Sequence, residues 1–388
     1  LVDADNNLLL DFQEKPQLAY ENARRPRMLV QSASKAGPSG TVLVMLYKQG
    51  QEGKGRPSDI FMRRIVKPAS GSPFAFKNFV AGAQNISSVS PTEYWQNPDQ
   101  DDQAKGEGTK VVKFTQTPAN EYDASSTNPY DDARAHRGIL RGDNLFIAYD
   151  HTPNWAASRN AHDKYDVYVR RSFTGGKSWS TDPRGTGPVC HTRTWKDYSS
   201  VVSEDEANQK ETYEEVECFD AGSFEPSRNL SQLKNNKTSV IEPRLVGPPS
   251  SVAGSPYPED IENPDVFYVA FGTETNVPKA HGDDEDFEEI AAPEDLFYTF
   301  TRDRGQSFQK RDWFVNPDSD GNFAGQIVER YDYLAKGDAE QSEAQLRMSP
   351  DGSKFYAVWN EDGPEGSDTW FRRIMSSAFP QNKGPQPQ

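Results

Sequence analysis

The sequence predicts an all-β fold, a β-propeller of four-stranded antiparallel blades, from its composition and from a repeat of strand-like segments. Hydrophobic residues make up only 34% of the 388 residues, whereas the chain has 21 Phe, 16 Tyr, 28 Gly and 28 Pro. Few aliphatic side chains with many aromatic and turn-forming residues favour short strands and turns over a helical bundle. At ~150 residues per domain the length suggests two or three domains, but all-β propellers often exceed that size as one domain.

The repeat is a triplet of strand-like segments that occurs four times. Four apolar or alternating segments end in an aromatic residue, at 41–47, 144–149, 265–271 and 354–359. Each is followed, after a polar loop, by a segment that starts with Asp, at 59–64, 166–171, 295–300 and 368–373. Each is preceded by a short strand-like piece, at 26–30, 136–140, 243–246 and 345–348. Gly, Asp, Asn or Pro turns between the pieces fit antiparallel hairpins.

The predicted unit is a blade of roughly 40 residues with long, variable loop insertions, since stacking blades radially supplies the core that one sheet lacks. Fourth strands are expected at 74–79 and near 223–231, and the repeat cores at 26–79, 136–179, 243–308 and 345–375 of a single domain over 1–388. Six blades would require two diverged ones within 90–130 and 180–240, or a missing part in a longer precursor or another chain. A strand at 8–12 is a candidate to close the ring.

Two turns narrow the fold further. The segments 172–179 and 301–308 share the spacing Ser/Thr-x-Asp-x-Gly-x-Ser/Thr-aromatic, with Thr174 in place of Asp in the first. Carboxylate and hydroxyl groups can satisfy the backbone of a tight hairpin, and Gly adopts the conformation that other residues resist. The spacing resembles the Asp-box, or BNR repeat, of sialidase-like propellers, which have six blades.

A narrower resemblance comes from 128–137, 149–159 and 163–171. These segments are similar to the large bacterial surface-anchored proteins called choice-of-anchor O. That family is defined by its sequence and its varied sorting tails, so the resemblance implies a bacterial cell-surface location and no biochemical activity.

Three arginines are the candidate ligand-binding residues. Arg27, Arg137 and Arg244 occupy one position of the innermost repeat segment, and Gln345 occupies it in the fourth copy. Innermost strands of a propeller line its central channel, so matching positions converge. A planar guanidinium pairs with carboxylate in bidentate fashion, and the sialidase resemblance implies an arginine triad that holds a substrate carboxylate. The alternative is that these arginines pair with acidic neighbours across blades, in a chain with 59 carboxylates.

Catalysis would require more than the arginines. The sialidase resemblance implies a Tyr nucleophile with a Glu partner, for which Tyr331, Tyr333 and Glu329 are the candidates. An Asp general acid is also implied, and the sequence does not single one out.

Calcium is the candidate metal. Asp318, Asp320 and Asn322 place oxygen atoms at alternate positions, with Glu329 eleven residues after Asp318 as in an EF-hand loop. Phe323 stands where that loop needs Gly, so a solvated turn is the alternative. Asp3, Asp5 and Asn7 form a second oxygen-rich cluster. His136, His151 and His162 lack the close spacing of a transition-metal site, and ordinary polar packing is expected for them.

The two cysteines, Cys190 and Cys218, are expected to form a disulfide, which favours an oxidising, extracellular compartment. The net charge of −16 disfavours nucleic acid and anionic membrane surfaces as partners. No apolar run reaches the ~20 residues of a membrane helix, so direct membrane insertion is not expected. The chain opens on Leu1 rather than Met, which we interpret as a mature or truncated product. Asn85, Asn229 and Asn236 begin Asn-x-Ser/Thr sites.

Three functional hypotheses remain open on the sequence alone. The first is a secreted or surface-displayed, non-catalytic module that binds acidic glycans, another surface protein or the remaining part of its own precursor. The second is an exo-sialidase-type glycoside hydrolase that uses the arginines with a Tyr/Glu pair. The third is a metal-binding surface protein.

Overall fold

The computed structural model describes a large part of the chain, and all structural statements below concern that part. It comprises residues 22–31, 40–50, 57–68, 82–96, 109–123, 131–152, 165–196, 212–231, 238–247, 265–279, 288–308, 332–335, 337, 339–349, 352 and 354–375. These residues form β-strands and turns, with a short 3-10 helix at Pro118–Tyr122. The predicted all-β class is confirmed. None of the helical structure in these ranges is long and apolar enough to cross a membrane.

The first sheet contains the first predicted triplet. Its strands, in spatial order, are β1 (Asn22–Gln31), β2 (Gly40–Gly50), β3 (Ser58–Pro68) and β4 (Gln84–Asn85). All pairs are antiparallel. The fourth strand predicted at 74–79 lies outside the described residues, and the strand that pairs with β3 is β4. The closing strand proposed at 8–12 lies outside them as well.

The second sheet holds the second triplet and has the same layout. A two-stranded ribbon of β5 (Ser90–Gln96) and β6 (Thr109–Thr115) precedes it in the chain. Its first strands are β7 (Asp132–Arg141), β8 (Asn144–Thr152) and β9 (Asp166–Ser172). A second ribbon follows, made of β10 (Val189–Lys196) and β11 (Thr212–Phe219). The outer strand is β12 (Arg228–Asn229), which lies within the predicted stretch 223–231 and pairs with β9.

The third and fourth sheets complete the series. The third sheet consists of β13 (Thr238–Val246), β14 (Phe267–Lys279), β15 (Glu288–Thr301) and β16 (Asp332–Ala335), in that order. The fourth has three described strands, β17 (Glu340–Met348), β18 (Lys354–Gly363) and β19 (Gly366–Met375). Where diverged blades were expected, within 90–130 and 180–240, the described residues form the two ribbons and β12 instead of further four-stranded sheets.

Consecutive sheets pack face to face because side chains alternate along each strand. On β8, Leu145, Ile147 and Tyr149 pack against the first sheet. The intervening Phe146 and Ala148 pack against the third sheet. A third cluster, which includes Tyr268, Phe300, Phe355 and Trp359, joins the third sheet to the fourth. Among the described residues, none of these clusters joins the first sheet to the fourth.

The two turns that prompted the Asp-box comparison have matching hydrogen bonds. Ser172 Oγ accepts from the backbone N of Gly176 at 2.8 Å, and Thr301 Oγ1 accepts from that of Gly305 at 2.8 Å. Gly176 has φ +85° and Gly305 has φ +74°, the left-handed conformation expected for the Gly of this spacing. The turns therefore have the local geometry that the sequence predicts.

Each turn also accepts a hydrogen bond from an arginine of the preceding sheet. Arg64, near the end of β3, donates from Nε to the carbonyl of Gly175 at 3.1 Å. Arg171, near the end of β9, donates from Nη1 to the carbonyl of Arg304 at 2.9 Å. Both arginines follow the leading Asp of their segment by five residues, and both carbonyls follow the start of their turn by three. The repeat therefore encodes a contact between sheets.

The leading Asp of the third strand is tied to the outer strand by an Asn-x-Ser pair. Ser87 Oγ donates to Asp59 Oδ1 at 2.9 Å. In the second sheet, Ser231 Oγ donates to Asp166 Oδ1 at 2.5 Å and Asn229 Nδ2 to Asp166 Oδ2 at 3.0 Å. Two of the Asn-x-Ser sites noted in the sequence are therefore buried structural elements, because Asn85 and Asn229 are 1% and 7% exposed.

Candidate functional site

The inner strands β1, β7, β13 and β17 carry the aligned arginines, and they lie side by side. Strand β7 contacts β1 on one side and β13 on the other, and β13 also contacts β17. Arg27, Arg137, Arg244 and Gln345 stand at one structural position, since each resumes strand pairing directly after a β-bulge. The alignment made from the sequence therefore corresponds to a repeated position in space.

The bulge contains a residue with a positive φ, which no glycine in the sequence indicates. In all four inner strands the residue two positions before the aligned one has a positive φ: Arg25 (53°), Ala135 (53°), Glu242 (52°) and Glu343 (55°). Outside Gly, this conformation costs about 1–2 kcal/mol per residue. A bulge bends its strand and redirects the side chain that follows. Its presence at four matching positions makes it a feature of the repeat.

Arg244 has the most contacts of the three. It is 8% exposed, and its Nε donates to the carbonyl of Ala344 on β17 at 2.9 Å. Its Nη2 donates to Glu242 Oε2 at 2.6 Å, and Glu343 Oε2 lies 3.8 Å away. Arg244 thus links the third inner strand to the fourth, as the alternative of pairing across sheets predicts.

Arg137 lies between the other two arginines, and the positive charges of both act on it. Its Nη1 donates to the carbonyl of His136 at 2.9 Å. The pKa of Arg137 is lowered to about 10, first by burial and then by the positive charges of Arg244 and Arg27, while Glu242 opposes the shift. Arg137 is therefore close enough to Arg27 and to Arg244 to be repelled by each. An anion placed among them would relieve that repulsion.

His136 adds no charge to this group. It is 1% exposed, and burial together with Arg137 and Arg27 lowers its pKa to about 4. The imidazole is therefore neutral near pH 7. We define the arginine cluster as Arg27, Arg137 and Arg244, of which Arg27 is exposed to solvent.

Tyr333, the one catalytic candidate among the described residues, is not brought to the arginine cluster. Tyr333 lies on β16, at the opposite edge of the third sheet from β13 and Arg244. Its ring packs against Phe297 at 4.4 Å between centroids, and its carbonyl accepts from Arg372 Nη1 at 3.0 Å. Tyr331 and Glu329 lie outside the described residues.

The predicted metal ligands also fall outside the described part of the chain. This applies to Asp318, Asp320 and Asn322 and to the cluster at 3–7. His162, for which ordinary polar packing is expected, lies outside the described residues as well. Within the residues the structure does describe, no group of three or more His, Cys, Asp or Glu is arranged to hold a metal ion.

The predicted disulfide is confirmed. Cys190 and Cys218 face each other across the β10–β11 ribbon and are bonded. The bond fits a protein of an oxidising compartment.

A buried acidic group between the first two sheets was missed by the sequence reading. His151 Nε2 lies 3.1 Å from Asp131 Oδ2, and Asp59 is close to both residues. Burial is the main cause that raises the pKa values of Asp59 and Asp131, and repulsion between the two carboxylates adds to that of Asp59. The signal in the sequence was the Asp131–Asp132 pair, which the register of β7 and β8 brings opposite the end of β8.

Comparisons with known proteins give only distant likenesses. No family model and no curated protein matches the chain. A polysaccharide lyase structure is 9% identical, with 90% of this chain and 57% of that chain covered and a TM-score of 0.31. Levansucrase from Gluconacetobacter diazotrophicus is 11% identical, with coverages of 91% and 62% and a TM-score of 0.32. Trypanosoma rangeli sialidase in complex with sialic acid is 9% identical, with coverages of 94% and 56% and a TM-score of 0.22.

These three structures are enzymes that act on carbohydrates, and the chain spans 57%, 62% and 56% of their respective lengths.

Proposed function

We propose that this chain is a sialidase-like β-propeller module that binds acidic glycans at the arginine cluster without catalysis. The proposal includes closure of the sheets into a ring by further blades, an extracellular or outer cell-surface location, and membership of the choice-of-anchor O proteins. Another surface protein, or the rest of its own precursor, is the proposed macromolecular partner. Calcium is the proposed ion for loops beyond the described residues.

The single observation that carries the binding proposal is the repeated position of the three arginines on adjacent inner strands. Arg25, Arg27, Arg137 and Arg244 contribute positive charge there, and the acidic residues beside them are Glu242 and Glu343. A local positive group in a chain of net charge −16 is a selective place for an anion. A carboxylate would be held by charge-assisted hydrogen bonds from Arg27 and Arg137, while Arg244 keeps its contacts with β17.

The position of Tyr333 supports the non-catalytic form of the proposal. Retaining glycoside hydrolysis requires a nucleophile and an acid on either side of the scissile bond. Tyr333, the described candidate for the nucleophile, lies on the far edge strand of its sheet. Binding alone needs fewer coordinated groups, and the guanidinium groups supply them.

The test is titration with N-acetylneuraminic acid and glucuronic acid, with N-acetylglucosamine as the neutral comparison, followed by calorimetry. Arg137→Gln should weaken binding of the acidic sugars about 10-fold or more, the usual loss for a charged hydrogen bond. Arg63→Gln is the matched control, since Arg63 is exposed on β3, which β2 separates from β1 in the first sheet. Equal effects of the two variants, or no binding of either acidic sugar, would contradict the proposal.

A fluorogenic sialoside separates binding from catalysis. We expect no turnover by the wild-type chain. Turnover that Arg137→Gln abolishes and Arg63→Gln preserves would show that the chain is an exo-sialidase rather than a non-catalytic binding module.

A further inference from the structure

A cavity of about 420 Å³ lies between the outer halves of the first two sheets and is separate from the arginine cluster. Its walls come from the ends of β8 and β9, from the chain after β6, and from β11 of the disulfide-linked ribbon. Its volume falls in the range of about 300–1,000 Å³ that small-molecule sites occupy. The cavity is therefore large enough for a small organic ligand.

Five aromatic rings line this cavity, those of Phe114, Tyr149, His151, Tyr168 and Phe219. The rings of Tyr149 and Tyr168 are nearly parallel, 17° apart with centroids at 6.2 Å. The His151 ring stands almost perpendicular to both, at 86° to Tyr149 and 79° to Tyr168. Phe114 adds a fourth ring 6.4 Å from His151. Rings that meet at right angles form a corner, the arrangement from which aromatic cages for cations are built. In this corner Tyr168 and Phe114, 6% and 7% exposed, offer ring surface to the cavity, whereas Tyr149 and His151, 1% exposed each, pack behind them.

The charge around the cavity is negative. Glu217 lines it, and no Lys or Arg belongs to its described lining. Behind His151 lies Asp131, at 3.1 Å from its Nε2, but burial raises the pKa of Asp131 and of the adjacent Asp59 and favours their neutral forms, so the negative charge that a ligand meets is that of Glu217. Arg170 is the described cation that acts on Tyr149, but it pairs with Glu121 at 2.8 Å. An anion would therefore meet repulsion in this cavity, whereas a cation would meet attraction.

The polar part of the wall is already fixed in place. Tyr149 donates from its hydroxyl to Ser227 Oγ at 2.5 Å. Gln116 accepts from the backbone N of Ser227 at 2.6 Å and donates to the carbonyl of Ile86 at 2.9 Å. A preformed wall reduces the ordering cost of binding.

From the aromatic corner and the negative surroundings we infer that this cavity binds a small alkylammonium cation. The quaternary or tertiary ammonium group lies against the aromatic rings, with Glu217 at the rim and the Asp131–His151 pair behind. Cation–π contacts are electrostatic, so the charge of the ligand, rather than its shape, is expected to determine affinity.

The experiment uses the wild-type chain with choline and its uncharged isostere 3,3-dimethylbutan-1-ol, measured by calorimetry and saturation-transfer NMR. Choline should bind at least about 10-fold more tightly, because desolvated cation–π contacts are individually worth up to about 2 kcal/mol. Equal affinity for the two probes, or no binding of choline at millimolar concentration, would overturn the inference.

Two pairs of variants locate the site. Glu217→Gln should weaken choline about 3- to 10-fold, whereas Asp220→Asn, which removes an exposed carboxylate outside the lining, should change it less than about twofold. Tyr149→Phe keeps the ring and should bind choline normally, whereas Tyr149→Leu should not. Equal effects within either pair would contradict the cavity as the site. Arg137→Gln should leave choline binding unchanged, so this inference and the proposed glycan site fail independently.

Discussion

The buried ion pair of Arg171 and Glu225 holds the arginine that contacts the turn of the third sheet, and removing its charges tests how much that burial costs. The side chains are 1% and 2% exposed, and two parallel hydrogen bonds of 2.8 Å join them. Glu225→Gln leaves the guanidinium buried without its counter-charge, which costs about 3–5 kcal/mol of unfolding free energy. The double variant Arg171→Met with Glu225→Leu removes both charges. It should lose only about 1 kcal/mol, mainly for the hydrogen bond from Arg171 to the carbonyl of Arg304.

The assay is urea unfolding followed by circular dichroism and tryptophan fluorescence. Arg184→Gln is the matched control, because Arg184 is 56% exposed and its pair with Asp182 contributes at most about 1 kcal/mol. If Glu225→Gln destabilised the chain no more than Arg184→Gln, burial of this pair would not govern its energetics. A double variant less stable than Glu225→Gln would refute the reasoning in the same way.

Three further predictions concern a turn, a carboxyl and the Asn-x-Ser sites. Gly176→Ala should destabilise the chain by about 1–3 kcal/mol in urea unfolding because φ is +85° there, whereas Gly187→Ala, in open space, should change stability little. Burial raises the pKa of Asp150 to about 7. Its protonated form therefore stabilises the folded chain at low pH, and this contribution is lost as the pH rises from about 4 to about 7. Asp150→Asn should make the melting temperature fall less steeply across that range, and an unchanged slope would contradict the assignment. Expression in a glycosylating host should leave Asn85 and Asn229 unmodified by mass spectrometry, since both are buried; glycan on either in folded protein would contradict their placement.

The strand triplets were predictable because their signals are local. Alternation of apolar residues, turn residues and the leading Asp are all read within a few positions, and the same spacing defined the two Gly turns. The arginine alignment also came from the repeat, since equivalent residues of equivalent strands must occupy equivalent places.

What the sequence did not predict depends on distant residues or on unusual backbone. The bulges at Arg25, Ala135, Glu242 and Glu343 have no Gly to mark them. Tyr333 was grouped with Glu329 by proximity in the chain, whereas the sheet order puts it at the edge opposite β13. Asn85 and Ser87 match a modification site in the sequence, because only the pairing of β3 with β4 brings Asp59 to them.

The two arginine contacts to the glycine turns both run from one sheet to the next sheet along the chain. Arg64 reaches forward to the turn of the second sheet and Arg171 to the turn of the third, but Phe300 stands at the matching position of the third sheet and packs against Tyr268. Each such junction needs a donor on one sheet and a receptive turn on the next. A sheet inserted between the first and third would have to supply both. The junction after the third sheet uses other donors, Arg244 on β13 to the carbonyl of Ala344 and Arg372 on β19 to the carbonyl of Tyr333, so a unit added there would have to meet a different requirement.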